Sequence, residues 1–494
     1  MTYSKATRLS ILPQKMGMRA SRQTSELLLL VLLLFFYFSV SVVDQPSVSG
    51  IANLVGPIAY GAILTKTTLY LHKSDPLLTG TPLFWFRLAC ISYFAVGALV
   101  PFLVNLATLD AIYGLYSFSA QTNLKLNTIL TMGTLMTLFS ANIFLRFRFT
   151  RSREPGKRLK SKNPLSLALM FLLVGGALRY FVVVPFFLGI SEMEVAGSLI
   201  ALSKLYYVGI FLLTIYTIDH NRVALFPTIF LISLEVVVSI ATFSKSELLQ
   251  ILIFASLPFV LRKQRLIVYV SIITTLVLTY SLFRPLVQYG RNILISKYGQ
   301  IQGGTLKERI DIVSDYLFLS SNALTDDGVQ LGLLRLSYAN ASSFVVDQYD
   351  NGRLGDSLND ALIVVIPRVL WPSKPVLSTA GNELNELIFG DSATSLGVGY
   401  FAEAYWNGGW LMLIIVCTTL GAILSVLSRF SYWVLYYQKW IFFPAVLLGI
   451  RIAFRVDGWF LIDVIGPTWM IAIAISFLWF FDKIISGFTR NLSV

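Results

Sequence analysis

One polar region, Arg284–Gly408, contains Ile366-Pro-Arg-Val-Leu-Trp-Pro-Ser-Lys-Pro375 and ends in Thr394-Ser-Leu-Gly-Val-Gly-Tyr-Phe-Ala-Glu-Ala-Tyr-Trp-Asn407. The sequence before and after this region consists mainly of long apolar runs. A transporter seldom needs a polar region of this length, whereas an enzyme that works at a membrane surface does. The sequence therefore predicts that catalytic or binding residues lie in this region.

The composition excludes a soluble globular protein. Hydrophobic residues make up 56% of the chain and charged residues 13%, and the mean hydropathy is +0.71. A bilayer core requires about 20 apolar residues per span. The sequence thus predicts an all-α fold: a polytopic membrane helical bundle of about 12 transmembrane helices, with a helical extracytoplasmic cap formed by the long polar loop. The predicted spans are 27–43, 51–71, 83–108, 128–145, 165–190, 198–218, 225–243, 248–261, 266–283, 409–428, 440–453 and 459–481.

The distribution of basic residues predicts the orientation, because cytoplasmic loops carry an excess of Lys and Arg. These residues concentrate before the first span, in 146–162 and in Arg262-Lys-Gln-Arg265. Both termini are then predicted to be cytoplasmic, and the polar region faces outward. The first apolar run lacks a small-residue cleavage site, so we interpret it as a retained helix and not as a removed signal peptide.

Five parts follow from this topology. They are a basic cytoplasmic N-terminus (1–26), spans one to nine (27–283), a large extracytoplasmic helical loop (284–408), spans ten to twelve (409–481) and a cytoplasmic tail (482–494). Inside the loop, Thr305-Leu-Lys-Glu308 fits a capping box and predicts a helix to about Ser320. Further helices are predicted at about 328–347, 357–368 and 381–389.

Charged side chains inside spans are costly, which makes them candidates for function. Such residues, together with basic residues of the polar region, are predicted to form an outward-facing basic pocket. Arginine suits a diphosphate, because its planar guanidinium matches two phosphate oxygens and stays charged. The pocket residues are Arg179, Lys204, Lys245, Arg284, Arg291, Arg368, Lys374, Arg451 and Arg455, with Glu235 also lying inside a span.

A structural explanation of these charges stays open. Arg179 could pair with Glu235 as buried structural ions, and Arg451 could pair with Asp457 in the same way. Both readings use the same residues and differ only in whether the arginines are available to a ligand.

Seven carboxyl groups on the outer side are candidates for an acid or a base: Asp356, Asp360, Glu383, Glu386, Asp391, Glu403 and Asp457. Glu403 is the strongest candidate, because it precedes the tenth span and follows a glycine-rich bend at Gly397 and Gly399. There it could point into a cavity and deprotonate a hydroxyl group. Each of these carboxylates could equally be paired with an arginine.

Several other classes of chemistry are not indicated. The net charge of +13 is interpreted as topology signal and lipid-headgroup contact, not as nucleic-acid binding. Cys90 and Cys417 lie in spans, and His72 and His220 lie in cytoplasmic loops, so neither an outer disulfide nor an outer histidine is predicted. No metal site is predicted either, since Asp347–Gly352 lacks the spacing of a calcium loop.

Three short motifs resemble those of the Wzy-type polymerases, which join oligosaccharide repeat units of the O-antigen kind. The motifs are Pro367-Arg368 with Trp371-Pro-x-Lys-Pro375, Ser395-Leu-Gly397 to Glu403-x-Tyr405-x-Asn407-x-Gly409, and Ser244-Lys245. The similarity in topology covers the whole chain, with many spans and one large outer loop. In some members ten residues separate this arginine from a glycine, whereas here Gly381 comes two residues later than that spacing.

The resemblance implies a GT-C-like membrane glycosyltransferase of the bacterial cytoplasmic membrane. Its substrate would be an undecaprenyl-diphosphate-linked oligosaccharide, and the growing glycan would be transferred to the incoming repeat without a metal or other cofactor. The resemblance also implies flippase and chain-length regulator proteins as partners. Glu403 and Arg368 are the expected catalytic residues. The expected diphosphate- or glycan-binding residues are Arg179, Lys245, Arg284, Arg291, Lys374, Arg451 and Arg455.

Other membrane activities remain as alternatives. An O-antigen ligase shares the architecture but usually depends on an outward-facing histidine. GT-C mannosyl- and aminoarabinose-transferases expect an acidic pair in the first outer loop, and 44–50 offers a single Asp. A peptidoglycan glycosyltransferase of the cell-shape class is a further alternative. A lipid-linked oligosaccharide flippase would use Arg179 and Glu235 as a central translocation site.

Overall fold

The computed structural model describes residues 6–43, 45–103, 119–146, 164–191, 195, 197–262, 266–299, 303–319, 337, 339–366, 371, 374, 380–390 and 395–491. All regular elements within these ranges are helices, and no strand occurs among them. The all-α class predicted from the sequence is therefore confirmed.

Nine helices in the described ranges are long and apolar enough to cross a bilayer, which identifies a membrane protein. They are Gln23–Val43, Pro46–Ser74, Pro82–Phe102, Ala120–Leu145, Pro164–Phe187, Leu199–Asp219, Arg222–Ala241, Tyr400–Tyr437 and Phe460–Phe480. In chain order the helices are α1 (Ala6–Val43), α2 (Pro46–Ser74), α3 (Pro82–Phe102), α4 (Ala120–Arg146), α5 (Pro164–Phe187), α6 (Leu199–Asp219), α7 (Arg222–Ala241), α8 (Lys245–Arg262), α9 (Leu266–Tyr298), α10 (Leu306–Leu319), α11 (Ala339–Asp350), α12 (Ala361–Val365), α13 (Ala380–Phe389), α14 (Tyr400–Tyr437), α15 (Trp440–Phe454) and α16 (Gly466–Asn491).

The chain forms two compact units. Unit 1 consists of Met1–Glu154, Leu333–Tyr436 and Ala445–Val494, and unit 2 consists of Pro155–Gly332 and Tyr437–Pro444. The polar region is thus divided, with its first part in unit 2 and its second part in unit 1. The residues predicted to form one basic pocket consequently fall into two sets, one in each unit.

In unit 1, helices α1, α2 and α4 pack closely along an apolar core. Close packing is allowed by small residues: a Cβ at Gly56 would lie 2.1 Å from the Tyr37 hydroxyl. Arg87 of α3 makes a bidentate pair with Glu26 of α1, at 3.0 Å for each contact, and both side chains are buried. A paired charge is far less costly in an apolar interior than a lone one, so this pair joins the two helices.

In unit 2, helices α5 and α6 form the most intimate contact. A Cβ at Gly175 would lie 2.2 Å from the backbone nitrogen of Tyr206, and one at Gly209 would lie 2.7 Å from the Leu172 side chain. Two glycines, one on each helix, therefore let the backbones approach more closely than any larger residue would permit.

We expect Gly175→Ala to destabilise the protein by about 1–3 kcal/mol, because the new methyl group meets backbone and forces the helices apart. The free energy of unfolding in detergent micelles, measured by denaturant titration, checks this expectation. Gly50→Ala is the matched control, since Gly50 is also helical and a Cβ there meets no atom within 4 Å. Equal stabilities for the two variants would contradict the packing argument.

The capping box predicted at the start of α10 is confirmed. Thr305 Oγ1 accepts a hydrogen bond from the Glu308 backbone N–H at 3.3 Å, and Glu308 Oε2 accepts one from the Thr305 N–H at 2.8 Å. Lys297 and Tyr298, at the end of α9, also bind Glu308 Oε1, each at 2.6 Å. Lys297, Tyr298 and the Thr305 amide together lower the pKa of Glu308 to about 2.

This capping contact should depend on pH. The unperturbed pKa of a glutamate is 4.5, and the folded value is lower, so the ionised form is favoured by folding. Its stabilisation is complete above the unfolded pKa and is lost as the pH falls towards the folded pKa. We expect the difference in melting temperature between the native protein and Glu308→Gln to be present at neutral pH and to shrink progressively below pH 4.5. A difference that does not change with pH would contradict this linkage.

Two other helices in the polar region match the sequence in part. A helix predicted at 381–389 is observed as α13, and α11 ends at Asp350, two residues before Gly352 with its φ of +79°. The helix predicted at 357–368 is wrong in extent, because only α12 is helical and Ile366 is already extended. Half of the predicted helix at 328–347 lies outside the described residues, and α11 begins at Ala339.

Two apolar spans extend into longer helices. The span predicted at 266–283 belongs to α9, which continues through Pro285 to Tyr298, and the span predicted at 409–428 belongs to α14, which begins at Tyr400. Hydropathy marks only the apolar part of a helix. The backbone hydrogen bonds of the helix continue into the polar residues that follow or precede this part. Polar residues such as Glu403 therefore lie on the helix itself and not in a loop before it.

Candidate functional site

A glycine-rich segment leads into the candidate site in unit 1. A Cβ at Gly397 would lie 2.3 Å from the Asp457 carbonyl oxygen, and Gly399 has a φ of +77° and lies against the Val456 carbonyl. Glycine is required at both positions, since one lacks room for a side chain and the other is left-handed. The Tyr400 N–H then donates to the Val456 oxygen at 3.3 Å, which places the first turn of α14 against the end of α15.

Glu403 lies on this first turn and is completely buried. Its Oε1 accepts a hydrogen bond from the Ser357 hydroxyl at 2.8 Å, and its Oε2 accepts one from the Phe460 backbone N–H at 2.6 Å. The Phe460 N–H is the first amide of a helical segment and has no partner within that helix. The carboxylate is thus held at a fixed position by one hydroxyl and one helix N-terminus.

Asn407 secures this arrangement from the next turn of α14. Its Nδ2 donates to Ser357 Oγ at 3.0 Å and to the Glu403 carbonyl at 2.9 Å, while its Oδ1 accepts from the Leu358 N–H at 3.1 Å. A chain of hydrogen bonds therefore runs from Asn407 through Ser357 to the Glu403 carboxylate. This chain gives a physical reason for the spacing Glu403-x-x-x-Asn407, one helical turn.

Immediately after Asn407 the helix is kinked at Gly408 and Gly409. Gly409 has a φ of +61°, and a Cβ there would lie 2.4 Å from the Tyr349 hydroxyl. Helix α14 has 38 residues, which corresponds to about 57 Å, whereas the hydrocarbon core of a bilayer is about 30 Å thick. The kink separates the turns that carry Glu403 and Asn407 from the apolar part of the helix.

A cavity of about 180 Å³ lies beside Glu403. Four carboxyl groups, one indole ring and one hydroxyl line it: Asp356, Asp360, Glu383, Glu403, Trp459 and Ser357. Clefts of about 300–1,000 Å³ hold drug-sized ligands, so this cavity has room for a small group such as one ring of a larger substrate. Three of the candidate acids predicted from the sequence thus meet Glu403 at one cavity.

Arg451 and Arg455 lie one turn apart, as predicted, at the end of α15 and just beyond it. Arg455 is paired with Asp457 at 3.6 Å and with Asp463 at 3.5 Å. Burial opposes the charge of Arg455, but the carboxylates of Asp463 and Asp457 outweigh it and raise the pKa of the guanidinium. The pairing of Arg451 with Asp457 that the sequence left open is not observed, because Asp457 lies against Arg455. Arg451 is exposed, and no ion pair involves it within the described residues.

Lys374 has a local role in the structure. Its Nζ donates to the carbonyl oxygens of Val364 and Ile366, at 3.1 and 2.9 Å, at the C-terminal end of α12. These carbonyls have no partner within the helix, and a cation at that end also interacts favourably with the helix dipole. Arg368, predicted as a catalytic residue, lies outside the described residues.

In unit 2, Arg179 is buried in a cluster of polar side chains. Its Nη2 lies 2.6 Å from Glu235 and 2.7 Å from Glu247, and its guanidinium stands 4.9 Å from the centre of the Tyr207 ring. Tyr180 donates a hydrogen bond to Glu235, and Tyr207 donates to both glutamates. The structural pair of Arg179 with Glu235 left open by the sequence is confirmed, and Glu247 is an additional partner.

The remaining basic candidates of unit 2 lie on three helices, with Lys204 on α6. Lys245 is the first residue of α8, and Arg284 and Arg291 lie on α9. Seven residues, or about two helical turns, separate Arg284 from Arg291, so both lie on one face of α9. These four residues belong to unit 2, whereas Glu403, Lys374, Arg451 and Arg455 belong to unit 1.

Sequence reasoning missed one buried cation. Arg309 of α10 is fully buried, donates to the carbonyl oxygens of Ala241 and Gly303, and stands 5.9 Å from the Phe243 ring centre. Phe243 itself has a φ of +48°, a conformation rarely adopted outside glycine. Arg309 therefore ties the polar helix α10 to the end of α7.

The other candidate acids are distributed as follows. Asp457 pairs with Arg455, Glu386 is exposed on α13 away from the cavity, and Asp391 lies outside the described residues. Asp350, which belongs to the segment Asp347–Gly352 considered above as a calcium loop, pairs with Lys125 at 2.6 Å. No group of three or more His, Cys, Asp or Glu residues in the described ranges has an arrangement that could hold a metal ion.

The chain was compared with known proteins by sequence and by fold. No protein-family model matches it, and neither does any curated protein or solved structure.

The hydroxyl of Ser357 should contribute to stability through Glu403. We expect Ser357→Ala to lower the free energy of unfolding by about 1–3 kcal/mol, because it leaves one oxygen of a buried carboxylate without its donor. Ser476→Ala is the matched control, since that hydroxyl is exposed and bonds the Ala472 carbonyl of its own helix at 2.9 Å. Denaturant titration of both variants checks the expectation, and equal values would contradict it.

Proposed function

We propose that this protein polymerises polyprenyl-diphosphate-linked oligosaccharide repeat units on the outer face of the bacterial cytoplasmic membrane. The observation that carries the proposal is the buried, hydrogen-bonded Glu403 carboxylate at a cavity rich in carboxyl groups, next to membrane-spanning helices. The motif resemblance to Wzy-type polymerases supports the same reaction class.

The cavity has the chemistry of a sugar-binding site. Carboxylates accept hydrogen bonds from sugar hydroxyl groups, and the indole of Trp459 offers an apolar surface to a pyranose ring. Glu403 would act as the general base that takes the proton from the acceptor hydroxyl. Ser357 and the Phe460 amide would hold it in place for that transfer.

The proposed reaction breaks one bond and forms one. The acceptor hydroxyl oxygen forms a bond to the anomeric carbon of the growing glycan, its proton passes to Glu403, and the bond from that carbon to the diphosphate oxygen breaks. The lipid diphosphate leaves with the electron pair, so no nucleotide sugar is consumed. Stabilising the departing diphosphate requires fixed positive charge, and Arg451 is exposed beside Arg455 in the same unit.

The other predicted basic residues are supported by different amounts of evidence within the proposal. Lys245, Arg284 and Arg291 are proposed to bind the diphosphate or the glycan. Arg179 is already compensated by two glutamates, which makes it a weaker ligand for phosphate. Arg368 and Lys374 remain proposed site residues on the strength of the motif alone.

The topology is also part of the proposal. The short apolar helices Glu247–Leu261 and Trp440–Phe454 and the predicted span in α9 would be added to the nine membrane-capable helices. That would give about twelve spans, with both termini in the cytoplasm and the polar region outside.

The central test uses the purified full-length protein in liposomes with lipid-linked repeat units from its host. We expect Glu403→Gln to lower the polymerisation rate by about 10²–10⁴, because the amide cannot accept the hydroxyl proton. Glu386→Gln is the matched control, an acidic residue of α13 that does not line the cavity, and it should polymerise normally. Polymer length resolved by gel electrophoresis checks both. Normal polymer from Glu403→Gln would remove Glu403 from the mechanism.

A flippase is the second candidate, favoured by the buried cluster of Arg179, Glu235 and Glu247 inside the membrane-spanning helices of unit 2. Gene deletion in the host distinguishes the two functions. Loss of a polymerase leaves single repeats on the cell surface, whereas loss of a flippase leaves lipid-linked repeats on the cytoplasmic side. An O-antigen ligase would instead leave long polymer on the lipid carrier.

A further inference from the structure

The cavity beside Glu403 is unlike the basic pocket expected from the sequence, because its charged lining is acidic. Asp356, Asp360, Glu383 and Glu403 contribute four carboxyl groups, and no Lys or Arg is among the lining residues that the structure describes. The lining therefore favours a neutral or positively charged ligand over a negatively charged one.

The basic residues of the same unit are engaged elsewhere. Arg455 lies between Asp457 and Asp463, and Lys374 donates to two backbone carbonyls. Within the described part of the chain, no ion pair involves Asp356, Asp360 or Glu383. Among the described residues, no ion pair offsets the charge of these three groups at the cavity, where a low-dielectric wall strengthens their field.

The cavity also has features that point to a sugar and not merely to a cation. The Trp459 indole lines it together with Ser357, Glu403 and the other carboxyl groups, which places an aromatic ring and several hydrogen-bond acceptors around one space. A pyranose ring presents the matching surfaces, with apolar C–H groups on its faces and hydroxyl groups at its edge.

We infer that this cavity receives a sugar residue that is neutral or carries an amino group, and that it rejects sugars bearing a carboxylate, phosphate or sulfate. The inference rests on the proposed function and deepens it by naming the substrate class at the acceptor position. An anionic group would face four carboxyl groups, with no Lys or Arg among the lining residues that the structure describes, and such like-charge contact is how a site discriminates against a wrong ligand.

The test measures binding of charge-matched probes to the full-length protein in detergent by saturation-transfer NMR. The probes are the methyl glycosides of glucose, protonated glucosamine and glucuronate, together with the same three derivatives of galactose. We expect the uronate to bind at least about tenfold more weakly than its neutral counterpart, with the amino sugar as tight as the neutral sugar or tighter. High salt should narrow the difference, since it screens the exposed carboxylates at the rim.

Variants assign the discrimination to the cavity. The double variant Asp356→Asn with Glu383→Gln should reduce the difference between neutral and uronate probes to about threefold or less. Glu386→Gln, three residues from Glu383 on the same helix but outside the lining, should keep the full difference. These two rim carboxylates are exposed, so their replacement by amides leaves the fold intact.

Four results would overturn the inference. They are tight uronate binding, failure of every probe to bind, undiminished discrimination by the double variant, and uronate binding that arises when calcium chloride is added. The last would show that the carboxylates hold a metal. Failure of the polymerisation assay while the probe ranking holds would refute the proposed function alone. Polymerisation that accepts an acidic terminal sugar equally well would refute the charge selectivity alone.

Discussion

The carboxylate of Glu403 is the constraint on which the rest of unit 1 depends. A carboxyl group removed from water requires replacement hydrogen bonds, and leaving it without them costs several kcal/mol. Here the replacements come from two distant parts of the sequence, the Ser357 hydroxyl and the Phe460 amide. Both must be brought to α14 for the carboxylate to be buried at all, so the polar loop and the last membrane helix are positioned by one side chain.

Unit 2 also buries charged side chains, and there the charges compensate one another. Arg179 inside α5 is matched by Glu235 and Glu247, and tyrosine hydroxyls satisfy the remaining carboxylate oxygens. A buried ion pair is weak evidence of added stability, but removal of one partner leaves an uncompensated charge. The cluster therefore fixes which helices can be neighbours, which is a requirement of assembly whether or not it also has a role in transport.

Features that depend on local sequence could be predicted, and features that depend on distant partners could not. The long apolar runs predicted a membrane protein. Thr305 and Glu308 predicted the start of α10, since a capping box is complete within four residues. The glycine bend before Glu403 was also readable. By contrast, the contact of Ser357 with Glu403 and the contact of the buried Arg309 with Ala241 join residues that are far apart in the chain. The acidic character of the cavity followed from tertiary packing that brought together four carboxyl groups from three separate segments.

The kink at Gly408 and Gly409 has a consequence for how this sequence can vary. Each residue inserted in an α-helix rotates everything beyond it by about 100°. Between Glu403 and Gly409, one insertion would turn the Asn407 amide away from Ser357 and move the left-handed position off Gly409. Beyond the kink the helix faces mainly apolar surroundings, where a change in length alters only its tilt. In homologous chains the segment from Glu403 to Gly409 should therefore have a constant length. The membrane part of the same helix should vary in both length and composition.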